Sequence, residues 1–406
     1  MLMRGFTIDL PLYSAESAWN QRAADVSLDA NNDARVQATM KMLTESSNRA
    51  GRDFNKVFVN SEEFSIPIFG ARKQAVQLRT YHDEVWATHD PRSQLVGGEL
   101  FIEDLPVPEG PLRPAGPVNL DSDGHLVLYD RDSPVEVDFF QATTQRDSGG
   151  QSLGGGRVGR TIHAAGFVSR FATDGLGAQL AAPGKVLNSA RATGVPLLAG
   201  LLLPEDLQAI VPDAFASQQI PVIPHALAFA LPAMRCLNND CATRNATDWI
   251  YPASKSETRN AVNDPLALAA GERIRLSKNL FFADGTPVVE DDPQVAPITK
   301  IFFRTLREYG AYLIDCSGGV TFYAEDIHTA SLHLPKVELE WLLGKRPADH
   351  ETPWQAIVNV LNDQLSFQLA NISGAGNQAL PLVISDSVAR GNVEVIAAAT
   401  PPALPT

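Results

Sequence analysis

The chain has 406 residues, with 47 acidic against 33 basic side chains and a formal net charge of −14. An acidic surface repels phosphate backbones and anionic bilayers, which predicts neither a nucleic-acid partner nor a membrane-surface one. A hydrophobic content of 44% excludes wholesale disorder, and 28 Pro and 29 Gly spread along the chain favour short strands and loops over long helices.

The first thirty residues read as extended. Asp33 to Ala50 has helical period, with Val36, Met40 and Leu43 on one face and Gly51 as the stop. Short alternating runs follow between 54 and 104, among them Lys56–Val59 and Phe64–Phe69. The Pro-rich stretch 105–117 reads as a linker. This divides an N-terminal segment, 1–104, packing on the core, from a core domain, 118–400, unless the two form one large domain. His125–Asp130 and Val135–Gln141 form a hairpin in which Val135, Val137 and Phe139 alternate with Glu136, Asp138 and Phe140. Residues 143–161 are polar and glycine-rich and read as a long loop.

The longest apolar stretch, Val195 to Pro204, is about half the ~20 residues a spanning helix needs, which predicts no membrane insertion. Pro204-Glu-Asp-Leu starts a short helix. Ile220 to Leu231 reads as a buried strand and Gly271 to Leu276 as another. Between them lie Cys236 and Cys241, whose spacing suits either a small disulfide ring in an oxidising compartment or two free thiols. Pro297 to Tyr309 is the clearest helix, with Ile298, Ile301, Phe302, Leu306 and Tyr309 in one stripe and Gly310 as the stop. Lys336–Leu343 and Pro353–Asp363 are short helices.

Tyr312 to Glu325 is the most informative stretch. It reads as a hairpin around Ser317, Gly318 and Gly319, with Cys316 opposite Val320, Ile314 opposite Phe322 and Tyr312 opposite Ala324. Asp315, Thr321, Tyr323 and Glu325 then share the polar face. Together these elements predict a mostly β fold: a two-sheet antiparallel sandwich, jelly-roll-like, with a few peripheral helices.

Glycoside cleavage needs two carboxyl groups close together. In the hairpin register Asp315 and Glu325 lie about 13–14 Å apart at ~3.4 Å per residue, so each needs a partner from elsewhere, and Asp130 and Asp138 are the donors expected. Tyr129, Phe140, Tyr323 and Trp249 are candidate sugar platforms, and Gln141, Arg131 and Arg170 are available to neutralise a uronate carboxylate. An alternative chemistry is β-elimination on a uronate, with His225 as base and Tyr323 as acid. Gly154–Gly159 matches GxGxxG formally but is followed by no helical pattern. Asp326 and His328 lack a third ligand, and Asp121 and Asp123 lack the downstream glutamate of a Ca²⁺ loop. No metal and no cofactor are expected.

Several segments carry a resemblance as an ordered series. They are Asp123–Arg131, Asp138–Ala142, Gly194–Gly200, Pro204–Asp206, Pro224–Leu227, Tyr251–Ala253, Leu306–Asp315 and Phe322–Glu325. Over about residues 120–330 the chain resembles a group of large, mostly uncharacterised bacterial exported proteins with a jelly-roll-like β-sandwich core. The resemblance implies that fold and a secreted or periplasmic habit, and it transfers no activity. The N-terminal residues show no apolar signal core, so a cytoplasmic location stays open. The functional expectation is an endo-acting glycoside hydrolase on a polysaccharide or oligosaccharide. The alternatives are a polysaccharide lyase and a non-catalytic glycan-binding or surface-interaction protein.

Overall fold

The run Leu-Ala-Phe-Ala-Leu at 227–231 has no polar side chain, and such a strand is stable only with both faces covered. It lies inside a six-stranded sheet around which the chain is arranged. The structure is a computed structural model. It describes residues 5–39, 41, 57–62, 64–70, 72–79, 93–96, 99–108, 110, 112–116, 123–130, 132–140, 142–154, 157–163, 167–178, 189–237, 248–257, 261–277, 292–293, 295–371 and 393–398.

In chain order the first strands are β1 (Val57–Asn60), β2 (Ile68–Phe69), β3 (Arg72–Arg79), β4 (Ser93–Val96) and β5 (Glu99–Val107). Then come β6 (Leu126–Asp130), β7 (Val135–Phe140), β8 (Thr143–Gly154), β9 (Arg157–His163) and β10 (Phe167–Ala172). The remainder are β11 (Leu227–Leu231), β12 (Met234–Arg235), β13 (Ala261–Val262), β14 (Arg273–Leu276), β15 (Ala311–Cys316), β16 (Val320–Tyr323) and β17 (Val393–Val395). A helix over residues 32–39 (α1) precedes α2 (Pro204–Ser217), α3 (Pro297–Glu308), α4 (Lys336–Leu343) and α5 (Pro353–Asn371).

The central sheet has the order β1-β16-β11-β15-β14-β17. One face carries Val57, Val59, Phe229, Phe322 and Leu313 and packs under α3 and α5, where Phe302 meets Phe322 edge-on at 5.0 Å. The amphipathic stripe of α3 explains this: Ile298, Ile301, Phe302 and Leu306 are all buried. Gly310 ends the helix at φ +69°, and a Cβ there would stand 2.3 Å from the Ile274 carbonyl oxygen. On the opposite face the N-terminal segment covers the sheet, with Trp19 edge-on to Tyr312 at 4.9 Å.

The second sheet, β10-β7-β6-β2, is the layer between two cores. Val127 and Tyr129 join the main core, whereas Leu126, Leu128, Val137 and Phe139 pack with Leu105, Val107 and Ile162 of the outer sheet β4-β5-β3-β9-β8.

Three expectations are corrected. The chain is not a mostly β antiparallel sandwich: its described residues are 26% helix and 24% strand, and β1/β16, β11/β15, β2/β6, β3/β9 and β12/β13 pair in parallel. Alternation reveals strands but not their partners, and α2 and α5 continue well beyond the short helices read at their starts. The 312–325 hairpin does not form as a pair, because β11 inserts between β15 and β16, parallel to the first and antiparallel to the second. Its apolar side chains suit the most enclosed position available. Residues 143–161, read as loop, contain β8 and β9, so Gly154 ends one strand and Arg157 begins the next. The GxGxxG match therefore spans two strands of an antiparallel pair rather than a strand and a helix.

Candidate functional site

Asp315 reaches its position through an irregularity. Along β15, Leu313 pairs with Phe229 and Asp315 with Ala230, so Ile314 is skipped. The extra residue turns Asp315 onto the face shared by Ala230 and, across β16, Thr321. Thr193 Oγ1 donates to the Ile314 carbonyl and pins the bulge. Phe58 and Asn60 of β1, opposite Thr321 and Tyr323, extend the same face to the sheet edge. There α5 folds over the edge, and its Asn362 amide pairs with the Val59 backbone, accepting from N–H at 2.7 Å and donating to C=O at 3.3 Å.

A cleft of about 990 Å³ opens at this edge. Phe58, Asn60, Ser61, Glu62 and Phe64 line one side, Gln355, Val358, Asn359 and Asn362 of α5 another, and Asp123, Glu257, Cys316–Gly319, Thr321 and Tyr323 the rest. The Cys316 N–H donates to both Glu257 Oε2, at 3.1 Å, and Asp315 Oδ1, at 3.0 Å, so those two oxygens are no more than about 6 Å apart. Burial, then the Glu257 carboxylate, push Asp315 up to about 8, against the pull of Arg191; Asp123 adds to the push. Asp315 itself is not among the lining residues; it lies behind Cys316, which is, and keeps 12% of its side chain exposed. Tyr323 and the Cys316 thiol are pushed well above their ordinary values, first by burial.

Behind the cleft wall stands Arg191, fully buried, with Nη1 3.7 Å from Asp315 Oδ2 and its guanidinium 4.6 Å from the centre of the Tyr323 ring. Its Nη2 donates to the Leu197 carbonyl at 3.2 Å. The Leu197 and Leu198 N–H groups in turn donate to Asp138 Oδ2, at 2.9 Å, and Glu136 Oε2, at 3.1 Å. Tyr13 OH donates to Glu136 Oε1 at 2.6 Å. Burial pushes Glu136 up to about 7 and raises Asp138 well above its ordinary value, with the neighbouring Glu136 adding to the push on Asp138.

The predicted residues are therefore scattered, with one exception: Asp315 and Tyr323 both lie against Arg191, and of the two Tyr323 lines the cleft. Asp138 is sealed beneath it with Glu136. Asp130 accepts from the Asp132 N–H at 3.0 Å and from Ser133, and pairs with Lys73 at 3.1 Å, which makes it the cap of the β6–β7 turn. Glu325 is fully buried, and its carbonyl accepts from Trp354 Nε1 at 2.9 Å. His225 lies beside α2, with Nε2 3.2 Å from Asp206 and Nδ1 2.9 Å from the Ala226 carbonyl, and does not line the cleft. Tyr129 stacks on Phe6 at 5.7 Å, Phe140 packs near His125, and Trp249 bridges to Ala270; none of the three lines the cleft. Gln141 lies outside the described residues, as does Cys241, while Cys236 is disulfide-bonded and Cys316 is free.

Sequence reasoning missed Glu257, Phe58, Phe64 and the amides of α5, and weighed Asp123 only for Ca²⁺. Among the described residues no cluster of His, Cys, Asp and Glu is arranged to hold a metal, and no helix is long and apolar enough to cross a membrane. Asp326 Oδ1 instead accepts from the His328 N–H at 2.7 Å and lies 2.8 Å from its Nδ1, closing a local turn. No protein-family model, curated protein or solved structure matches this chain.

Proposed function

We propose that the cleft hydrolyses glycosidic bonds, with Asp315 as proton donor and Glu257 as the second carboxylate. The observation that carries this reading is the Cys316 N–H shared between the two. Oxygens within about 6 Å fall short of the ~6.5–9.5 Å of an inverting pair and suit the ~5–5.5 Å of a retaining one. Asp315, neutral near pH 7, gives its proton to the glycosidic oxygen as Glu257 attacks the anomeric carbon. The leaving sugar departs with that proton. Water, deprotonated by the Asp315 carboxylate, then releases the glycosyl group from Glu257. The lining supports a sugar ligand. Asn60, Gln355 and Asn359 present amides, and Ser61 and Thr321 present hydroxyls. Phe58 and Phe64, two of the four exposed large hydrophobic side chains among the described residues, offer ring faces at the rim. The Cys236 disulfide supports a secreted or periplasmic location.

The test is reducing-end release from a panel of oligosaccharides by wild type, Asp315→Asn and Glu257→Gln. The expected result is cleavage in wild type and a loss of about 10³-fold or more in each variant. Trapping with a 2-deoxy-2-fluoro glycoside should label the peptide containing Glu257. Ligand binding without cleavage would replace this reading with that of a glycan-binding protein.

A further inference from the structure

We propose that Arg191 is the latent counter-charge of Asp315: it stands beyond hydrogen-bond reach while that carboxyl is protonated, and closes on the carboxylate once the proton has been given up. Its place in catalysis rests on the hydrolase reading; the pairing itself does not.

One turn sets both partners. The Arg191 carbonyl accepts from the Gly194 N–H at 3.0 Å and from Ser189 Oγ at 2.6 Å, which fixes the backbone from which the side chain leaves. Thr193, inside the same turn, donates to the Ile314 carbonyl and so pins the bulge that turns Asp315. The guanidinium is then held on two sides. Nη2 donates to the Leu197 carbonyl at 3.2 Å, and the Tyr323 ring, 4.6 Å away, stands between it and the cleft. Nε and Nη1 remain, buried and without a hydrogen-bond partner among the described residues. Buried donors without acceptors are costly, the more so on a cation. Among the described residues one carboxylate oxygen comes within 4 Å of the guanidinium, Asp315 Oδ2, at 3.7 Å from Nη1. That is about 1 Å longer than a charge-assisted hydrogen bond.

A neutral carboxyl does little for Nη1. A carboxylate at the same place would draw it in, and out of contact with solvent the attraction is strong. In the proposed first step the Asp315 O–H bond breaks and its electron pair stays on the carboxyl. The glycosidic oxygen takes the proton and the electron pair of its bond to the anomeric carbon, to which Glu257 bonds. Arg191 takes up the charge that Asp315 gains. An interaction that strengthens as the proton leaves lowers the barrier to its transfer. Arg191 is in this sense a positioning residue that acts through Asp315. Glu257, Asp123, Cys316 and Tyr323 also face Asp315, and Glu136, Asp138, Tyr13 and His125 also lie in the field of Arg191.

The experiment is a pH titration of the full chain followed by NMR, reading the Asp315 carboxyl carbon and the Arg191 guanidinium nitrogens together. The guanidinium signals should move with the Asp315 midpoint, and that transition should vanish in Asp315→Asn while any due to Glu136 and Asp138 remains. These two proteins keep Arg191, so the comparison survives even where a variant at that buried position does not fold. Arg191→Gln should raise the Asp315 midpoint by about one pH unit or more, and Arg191→Lys, which keeps the charge, by less than half as much. Guanidinium signals that ignore Asp315, an Asp315 midpoint unmoved in Arg191→Gln, or one already below about pH 5 in wild type, meaning a permanent pair, would overturn the proposal. Reducing-end release from the oligosaccharide panel is read separately against pH. Its alkaline limb should move up with the midpoint in Arg191→Gln, with kcat down about tenfold and KM changed less than about twofold. Coupled titration with no sugar cleaved would sink the hydrolase reading and keep the pairing. Cleavage without coupled titration, its alkaline limb the same in wild type and Arg191→Gln, would do the reverse.

Discussion

Replacing Asp315 by Asn tests whether the carboxyl is held neutral by its surroundings or ionised against Arg191. The folded value of about 8 stands above the ordinary 3.8, so the native state keeps a proton that the unfolded chain releases. Such a group costs nothing below pH 4, and its penalty grows as pH rises towards 8 and is then constant. At about 1.4 kcal/mol per unit the full shift would cost about 6 kcal/mol, and relaxation with water entry brings a realistic figure to about 2–3 kcal/mol. Asn preserves the acceptor for the Cys316 N–H and removes the titration. Urea denaturation of both proteins at pH 5, 7 and 9 should then show Asp315→Asn gaining on wild type by about 1.5–2 kcal/mol between pH 5 and pH 9, the rest of the penalty having accrued below pH 5. A variant less stable than wild type by the same margin at all three pH values would refute the reasoning. It would mean that Arg191, 3.7 Å away, holds Asp315 ionised throughout.

His225 faces an acceptor on each ring nitrogen, so its doubly protonated form is the one that satisfies both. Burial, the largest single influence, lowers its proton affinity, but Asp206 and the Ala226 carbonyl together outweigh it, and the net shift is upward from 6.5. The stability it contributes is present below pH 6.5 and lost as pH rises through the folded value; His225→Gln should cost about 1–2 kcal/mol at pH 5 and much less at pH 9. Gly200→Ala, at φ +70° with a Cβ 2.5 Å from the Trp19 ring and 2.6 Å from the Ala228 nitrogen, should destabilise by about 3 kcal/mol or more by urea unfolding. Trp354→Phe leaves the buried Glu325 carbonyl without that donor and should cost about 1–3 kcal/mol by the same measurement. The Cys316 thiol, kept protonated by burial and by Glu257, should react with iodoacetamide at pH 8 at least about tenfold more slowly than an unstructured cysteine peptide; an equal rate would contradict that.

Local pattern was legible where the signal was local. The stripe and bounding Pro297 and Gly310 of α3, the limits of α4 and the β6–β7 hairpin all lie in contiguous sequence. Partnership was not legible. Nothing in the alternation of Tyr312–Glu325 announces that Leu227–Leu231 will lie between its two strands. Nor does alternation say which face is wet. Glu136 and Asp138 share a face as their spacing requires, yet it meets Leu197 and Leu198 rather than solvent. Of the cleft, Asp315 and Tyr323 were legible because they sit on strands. Glu257 sits in an aperiodic polar loop, and Asp315 reaches its face only through a bulge that no sequence period records.

The order of strands in the central sheet also bears on how the chain reaches its native state. β1 leaves the ribosome early but, among the described strands, pairs only with β16, about 260 residues later, and β11 gains both its neighbours only after residue 323 has been made. Long closures of this kind slow folding, because their entropy is lost before their contacts form. From its own synthesis until residue 323 has followed, the apolar Leu227–Leu231 strand has unpaired edges and is prone to wrong association. The cleft, built where the first strand meets the last of these partners, is among the final parts of the molecule to exist.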